Sequence, residues 1–511
     1  MRSINSLKSV ITSLIANFTS IILAFFIQRF FVKILGIEYA GLNSVFSNII
    51  AMLAVADLGI GIAITSHLYE PVKNNDTEKI KSLLKLYKKC FNIVGIIILG
   101  IGIAIIPFLR YIIEENTIKN VELYYIIYLL NTVFSYFLIY KRSILQATQK
   151  SYIVNIVHFI IIILTKLFQF ISIKFFNSYL FYLIFMTFFT TFENIIIAII
   201  ANKIYPYIKE KNVKKLDSGL ITDIKKKVKA LILHKVGAFV VNSTDNLIIT
   251  KILGLAITGL YANYNLIITS LSSLFNQVFA SISGSLGDLI VEKNKEKNYD
   301  TYKKLLFFNA IIFIFFCIAY FCLIKPFIVL WIGEEYLLDS IVVVTIIINF
   351  YIQGTRNTIN IFKDTAGIFY EDRFMPIIEV TTNLIISIVL AKFIGLPGVI
   401  LGTIISSLIV IIYGHAKYVY TPLFGKSRFL FIKENAKYIL LGTFDLLITY
   451  GITNLISINN TFLQLIINGI IVVIIPNLIN YIILRKTEEF QYYKNFIINL
   501  KDKIFHRVES N

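Results

Sequence analysis

The sequence predicts an all-α integral membrane protein with about fourteen transmembrane helices, arranged as two parallel six-helix bundles related by pseudo-two-fold symmetry plus two C-terminal helices. Three observations lead to this prediction: long apolar runs, basic residues concentrated on one side, and an internal repeat. Of the 511 residues, 57% are hydrophobic and only 15% are charged. Soluble proteins of this length need a more highly charged surface, so the composition excludes that class.

The apolar runs recur along the whole chain, and each is long enough to cross the roughly 30 Å of bilayer hydrocarbon as a helix. They do not alternate with a period of two, which disfavours a membrane β-barrel. The predicted spans are 8–31, 42–68, 90–113, 122–140, 151–173, 178–202, 230–252, 260–287, 305–331, 340–362, 375–393, 397–417, 437–457 and 462–484.

Basic residues determine the predicted orientation. The formal net charge is +19, and most of the 49 lysines and arginines fall between spans on the side that carries both termini. Because basic loops stay in the cytoplasm, the predicted topology is N-in, C-in. Topology therefore explains the charge, and nucleic acid is not an expected partner. Membrane lipids are expected partners for two reasons. The basic stretch 203–229 can face anionic headgroups, and segment 70–89 has the pattern of an amphipathic surface helix.

Neither an enzyme nor a metal centre is predicted. The external loops are all short, which leaves no soluble catalytic domain. The three cysteines and five histidines are scattered without metal-ligand spacing. We therefore expect no catalytic residue, no bound metal and no cofactor, and coupling to a Na⁺ or H⁺ gradient stays open.

A repeat with an offset of 218 residues supports the two-bundle architecture. KILGIEYAGL at 33–42 aligns with KILGLAITGL at 251–260. The offset contains six predicted spans, an even number, so both copies have the same orientation in the membrane. The predicted domains are an N-lobe at 1–202, a basic cytoplasmic linker at 203–229, a C-lobe at 230–420, helices 13 and 14 at 421–484, and a cytoplasmic tail at 485–511.

Short motifs in a fixed order carry a resemblance to a known family. They read LGIEYAGL (35–42), ADLGIG (56–61) and LYEP (68–71); NSTDN (242–246), LGL (253–255) and GLYANY (259–264); NLIIS (383–387), GLPG (395–398) and GTIIS (402–406). Together with the architecture, these motifs make the chain similar to the Wzx-like oligosaccharide flippases, polysaccharide transporters of the multidrug/oligosaccharidyl-lipid/polysaccharide (MOP) exporter superfamily.

The resemblance implies that undecaprenyl-pyrophosphate-linked oligosaccharide repeat units are moved from the inner to the outer leaflet of a bacterial cytoplasmic membrane. The destination would be capsule, exopolysaccharide or a cell-wall polymer. The implied partners are the lipid-linked oligosaccharide, a polysaccharide polymerase and glycosyltransferases.

Other functions stay open from the sequence. Lipid II-type flippases and ion-coupled multidrug exporters of the same superfamily have the same architecture. A drug exporter should have a smaller, more acidic or aromatic cavity. A membrane polymerase or ligase would need a large external loop, and a scaffold protein would need no polar stripes on its helices.

A flippase must carry a pyrophosphate and sugars past hydrocarbon, which calls for a wet, cationic cavity lined by amides and hydroxyls. Ionisable residues within spans are costly and by default face a cavity or a partner. Polar stripes at helical spacing occur on predicted helices 1, 7, 10 and 11. The residues predicted to line the cavity are Asn17, Arg29, Lys235, Asn242, Gln353, Arg356 and Asn357.

Three acidic residues, Asp57, Asp245 and Glu379, have two interpretations: they bind a coupling Na⁺ or proton, or they hold the cavity arginines in place. Structural roles compete with both, because small polar residues also join membrane helices and cations near helix ends can snorkel to the surface. On neighbouring predicted helices, Lys166 and Glu193 could neutralise each other, although their depths differ by roughly 10 Å.

Overall fold

The computed structural model describes residues 2–54, 60–113, 118–210, 213–292 and 294–509. For some residues within these ranges, including most of those at 225–243, the structure describes the backbone but not the side chain. Throughout the described ranges, every regular element is a helix.

Ten α-helices lie in the described residues up to Val291, with a short 3₁₀-helix at Pro206–Lys209 between the eighth and the ninth. A π-helical turn at Phe31–Leu35 extends the first of them. They are α1 (Arg2–Phe30), α2 (Ile37–Leu53), α3 (Ile60–Lys73), α4 (Thr77–Ile112), α5 (Val121–Tyr136), α6 (Tyr140–Ala147), α7 (Ser151–Phe176), α8 (Tyr179–Ile204), α9 (Ser218–Leu253) and α10 (Leu255–Val291).

Eight α-helices follow in the described residues from 294 onward, with a 3₁₀ turn at Glu334–Tyr336 between the first and the second. A π-helical stretch at Val410–Tyr420 joins the fourth and fifth of them. They are α11 (Lys295–Trp331), α12 (Ser340–Ala366), α13 (Met375–Ile394), α14 (Leu396–Ile409), α15 (Thr421–Phe424), α16 (Arg428–Leu455), α17 (Thr461–Leu484) and α18 (Glu488–Glu509).

Local sequence explains where several helices begin and break. Asp76 accepts a hydrogen bond from the backbone N–H of Lys79 (2.9 Å) at the start of α4, and Asn460 caps α17 in the same way. The repeat-equivalent glycines Gly36 and Gly254 have φ of +104° and +92°, a region that glycine enters without a steric penalty. Each interrupts the chain between two helices.

Nine helices of the described residues are long and apolar enough to cross a membrane, or ten if α5 and α6, bent by 44°, form one span. Large apolar side chains such as Phe175 (73% exposed), Phe393 (80%) and Leu455 (85%) lie on the outer surface, as lipid-facing residues do. The chain is a multi-pass membrane protein. Each predicted span overlaps a helix, and the second is divided between α2 and α3; the count of fourteen and the topology stay predictions.

The segment predicted as a surface helix, 70–89, is not a separate element. From Thr77 onward it is the first part of α4, which continues without a break to Ile112. The apolar side chains of its amphipathic face are buried in the protein: Ile80, Leu83, Leu84 and Tyr87. The periodicity was correct, but the partner of the apolar face is protein and not lipid. An apolar stripe by itself does not distinguish these two environments.

The helices pack as two compact units, residues 1–264 and residues 265–511. In the first unit, α7 packs on α1 and α8, and α5 packs on α4 and α8. In the second unit, α11 contacts α12, α16 and α17, while α13 packs along α14. The lobe limits expected from the sequence, 1–202 and 230–420, stay a prediction.

The two copies of the sequence repeat meet each other within the first unit. A Cβ atom at Gly41 would lie 2.1 Å from the carbonyl oxygen of Leu255, and one at Gly259 would lie 2.1 Å from the carbonyl oxygen of Ile37. The 218-residue offset relates these four positions in pairs, so the contact is reciprocal. Glycine permits this close approach of two backbones. A two-fold relation between the repeats would produce such reciprocity at this point.

Polar side chains bridge the same two repeats. Gln28 Nε2 donates to Asn263 Oδ1 (2.7 Å), and Asn246 Nδ2 donates to Ser44 Oγ (3.0 Å). Gln28 and Asn246 are again 218 residues apart. Both belong to polar stripes in the sequence, and both join helices here, as small polar residues do in membrane proteins.

Candidate transport site

Three polar residues follow one another on α12 at helical spacing. Asn349, Gln353 and Arg356 are separated by four and three residues, so they lie on one side of the helix. They are half-buried, and α14 packs against the same helix. A guanidinium within an apolar helix bundle needs a partner, because the loss of hydration is otherwise uncompensated.

The partner of Arg356 is Glu379 on α13. The two guanidinium nitrogens Nη1 and Nη2 donate to Oε1 and Oε2 of the carboxylate at 2.5 and 2.9 Å. The Arg356 side chain is 15% exposed and the Glu379 side chain 8%. This parallel, two-bond geometry is the strongest arrangement available to an arginine–carboxylate pair. Of the two interpretations of Glu379, the geometry matches the one in which it holds an arginine.

A third helix completes the cluster. Ser407 on α14 donates from its hydroxyl to Glu379 Oε1 (3.2 Å) and accepts from Gln353 Nε2 (2.8 Å). Gln353 also approaches Asn349 Oδ1 at 3.4 Å. The network therefore connects α12, α13 and α14 through charged and neutral hydrogen bonds. Ser407 was not singled out from the sequence, although it directly follows the GTIIS motif at 402–406.

The remainder of the polar stripe on α13 serves helix packing. Asn383 Nδ2 donates to Thr403 Oγ1 (2.9 Å), and Ser387 Oγ donates to the Val399 carbonyl (3.0 Å). Both Asn383 and Ser387 are fully buried. A Cβ at Gly402 would lie 2.6 Å from the Ser387 backbone nitrogen, so α14 approaches α13 closely here. This part of the stripe joins two helices.

The other predicted site residues are placed individually. Asn357 is half-buried beside Arg356 on α12. In the first unit, Arg29 is exposed and Asn17 is half-buried on α1, while Asp245 is half-buried on α9 near Tyr261. The following lie outside the described part of the chain: Asp57, and the side chains of Lys235 and Asn242. The structure thus groups Gln353, Arg356 and Glu379, and the cavity role of all these residues stays a prediction.

Glu193 has partners that the sequence did not suggest. Arg142 Nη2 on α6 lies 2.6 Å from Glu193 Oε1, and His158 Nδ1 on α7 lies 3.2 Å from Oε2. The expected pairing of Glu193 with Lys166 is therefore wrong. The difference of roughly 10 Å between the predicted depths of Lys166 and Glu193 is the physical reason, because a direct pair across it would be strained. Arg142 was missed because it lies just beyond the predicted fourth span, on the short helix α6 that is bent away from α5.

An arginine held by one carboxylate can exchange that partner for a phosphate. A phosphate offers two acceptor oxygens in the same planar geometry, so the guanidinium needs little rearrangement. The released carboxylate would then require a proton or a cation, since a bare buried charge is costly. The Arg356–Glu379 pair can in this way link an anionic ligand to a positive ion.

Comparison with solved structures identifies the fold. The lipid II flippase MurJ, in an inward closed conformation, has a TM-score of 0.63 and 17% identity over 93% of this chain and 99% of that chain. An inward-facing multidrug resistance MATE family transporter of the MOP superfamily has a TM-score of 0.60 and 13% identity over 80% of this chain and 96% of that chain. The chain shares the fold of these two solved structures.

A mutant of the Vibrio cholerae MATE transporter VcmN has a similar structure, with a TM-score of 0.55 and 14% identity over 80% of this chain and 94% of that chain. No protein-family model and no curated protein matches the sequence. The structural neighbours are transporters and flippases, not enzymes. At these identities the likeness is one of fold, and the substrate is a separate question.

Proposed function

We propose that this protein is a flippase that moves undecaprenyl-pyrophosphate-linked oligosaccharide repeat units from the inner to the outer leaflet of a bacterial cytoplasmic membrane. It acts by alternating access through a cationic central cavity and supplies capsule, exopolysaccharide or cell-wall polymer synthesis, alongside glycosyltransferases and a polysaccharide polymerase. The observation that carries the proposal is the bidentate Arg356–Glu379 pair, because a guanidinium that donates two parallel hydrogen bonds to a carboxylate can donate the same two bonds to a phosphate.

The extent of the structural likeness supports a flippase over a drug exporter. The lipid II flippase covers 93% of the chain, whereas the two MATE transporters each cover 80%. The motifs at 35–71, 242–264 and 383–406 support the oligosaccharide branch by resemblance. In this proposal Ser407 keeps its hydrogen bond to Glu379, and Gln353 keeps its bond to Ser407, while Arg356 changes partners.

The test is transbilayer movement of a lipid-pyrophosphate-linked oligosaccharide in vesicles reconstituted with the purified chain. Arg356→Ala should lower the initial rate by at least about tenfold, because a charge-assisted hydrogen bond contributes about 1.5–3 kcal/mol. Arg373→Ala is the matched control: Arg373 is exposed between α12 and α13 and donates to the Tyr370 carbonyl. It should flip at the wild-type rate.

Two results would contradict the proposal. The first is equal flipping by wild type and Arg356→Ala when both are correctly folded, which would remove Arg356 from the transport step. The second is the absence of flipping by wild type together with exchange of small cationic compounds for Na⁺ or H⁺. Vesicles carrying lipid II in place of the oligosaccharide lipid distinguish the two flippase substrates.

Ion-coupled multidrug export is the second candidate, and one observation favours it. Glu379 neutralises Arg356, so this pair has no net positive charge with which to attract a phosphate. A cationic compound could instead compete with Arg356 for the carboxylate. In that case Glu379→Gln would abolish drug export, and the wild type would not move lipid-linked sugars.

A further inference from the structure

Helices α16 and α17, the last two predicted spans, bury a seam of polar residues against α11. On α16 the buried positions repeat every four residues through Asp445, Thr449 and Thr453. On α17 they include Asn468 and Asn480. Both helices contact α11, which approaches closely enough that a Cβ at Gly442 would lie 2.8 Å from Ile314 Cγ1. Water is therefore kept away from this face of α16.

Four oxygen atoms in this seam lack a hydrogen-bond partner within the described part of the chain. They are both carboxylate oxygens of Asp445, the hydroxyl oxygen of Thr449 and the amide oxygen of Asn480. Asp445 and Thr449 are completely buried and Asn480 is 7% exposed. The Asn480 side-chain amide approaches the Asp445 carboxyl but makes no hydrogen bond of good geometry with it, and Thr449 is one helical turn further along the same face.

The free hydroxyl of Thr449 is unusual for this helix. Thr443 donates to the Ile439 carbonyl (2.8 Å) and Thr453 donates to the Tyr450 carbonyl (3.0 Å), as hydroxyls in membrane helices commonly do. Thr449 makes no such bond to its own backbone in the described structure. Its oxygen is thus available to another ligand beside the carboxylate.

Oxygen acceptors without donors are satisfied by a bound cation. A proton would satisfy one of the four oxygens, whereas an alkali-metal ion coordinates several oxygens at once. One carboxylate with neutral hydroxyl and amide ligands balances a single positive charge, which suits a monovalent ion in a low-dielectric environment. The described residues contain no group of three or more His, Cys, Asp or Glu that would favour a transition metal.

We propose that Asp445, Thr449 and Asn480 bind one Na⁺ ion between α16 and α17. The site lies on helices other than those of the Arg356–Glu379 pair, and it does not depend on the proposed substrate. Binding would join the last two spans through their side chains, since neither helix supplies all the oxygens.

The experiment measures ²²Na⁺ binding to the full-length chain in detergent micelles, with choline replacing Na⁺ in the reference buffer. Wild type should bind Na⁺, and Asp445→Asn, which keeps the shape and removes the charge, should bind one equivalent less. Thr449→Val should weaken binding at this site by about tenfold or more. Thr453→Val is the matched control, because it makes the same substitution one turn away at a hydroxyl that is already bonded.

A parallel measurement guards against misfolded variants. Na⁺ should raise the melting temperature of wild type and of Thr453→Val, and this rise should be smaller in Thr449→Val and Asp445→Asn. Equal Na⁺ binding by wild type and Asp445→Asn would overturn the proposal. So would a wild type without a Na⁺ response that instead releases a proton absent from Asp445→Asn, since the ligand would then be H⁺. Neither result depends on whether the chain flips a lipid-linked sugar.

Discussion

Two sets of charged side chains inside the described helices are neutralised at short range. Arg356 pairs with Glu379, and Glu193 pairs with Arg142 and His158, in each case across neighbouring helices. The reason is the cost of removing a charge from water, which only close, well-oriented partners offset. Such pairs specify which helices pack together. A ligand that replaces one partner of a pair leaves the charge of the other partner available.

At this scale we predict strong coupling between Arg356 and Glu379. Arg356→Gln should destabilise the protein by about 3–5 kcal/mol, because it leaves Glu379 buried without its counter-charge. Arg356→Gln combined with Glu379→Gln should recover most of this loss, since two amides can bond each other. Thermal unfolding of the purified variants in one detergent measures the coupling through a double-mutant cycle.

The exposed pair Arg110–Glu122 provides the control for this cycle. Its atoms are 2.7 Å apart, but the Arg110 side chain is 85% exposed, so water screens the interaction. The same substitutions there should leave the melting temperature nearly unchanged. A double variant at Arg356 and Glu379 that is no more stable than Arg356→Gln would show that the pair is not coupled.

Close backbone contacts at glycine determine how pairs of helices pack. Gly41 and Gly259 let α2 and the start of α10 approach each other, and Gly402 does the same between α14 and α13. In a membrane, lipid offers helices no hydrophobic drive to associate, so tight packing and weak Cα–H···O contacts carry more of the interaction. The reciprocal contact of the repeats is the clearest example in this chain.

Adding one methyl group at that contact should separate the two helices. Gly41→Ala and Gly259→Ala should each destabilise the chain by about 1–3 kcal/mol, by similar amounts because their surroundings are repeat-equivalent. Gly100→Ala is the control, since no atom outside its own stretch of α4 lies within 4 Å of its Cβ position. It should be neutral or slightly stabilising, as alanine is the better helix former. Wild-type stability of Gly41→Ala would contradict the contact.

The distribution of charge predicts the topology of the whole molecule. The chain carries 49 basic and 30 acidic residues, and its basic connections alternate with short, weakly charged ones. The positive-inside rule then orients every span once the first is placed. The predicted N-in, C-in arrangement therefore follows from the complete charge pattern and from no individual helix.

We test this topology with single cysteines and a membrane-impermeant maleimide. Asp339→Cys should react in intact cells, and Lys214→Cys should react only after the membrane is permeabilised. Both positions are exposed, while the native Cys317 and Cys322 are buried and Cys90 is partly buried. The native cysteines are replaced by alanine in the parent. The reverse labelling pattern would place both termini outside.

Composition and periodicity by themselves determined that the chain is a helical membrane protein, where its helices lie, and that Gly36, Gly41, Gly254 and Gly259 form a repeat. They also indicated Gln353, Arg356 and Glu379 as candidate site residues, because a polar residue within an apolar segment can be recognised from the sequence. These signals are local, or they recur at a fixed offset.

The tertiary structure alone decided which groups are partners. Arg356 pairs with Glu379, and Glu193 pairs with Arg142 and not with Lys166. The amphipathic face of α4 is buried in protein. Asp445 and Asn480 come from two different helices and lie close together. Partnership depends on which helices are neighbours and how each is rotated about its axis. Those quantities follow from packing summed over the whole bundle, and no single segment of sequence encodes them.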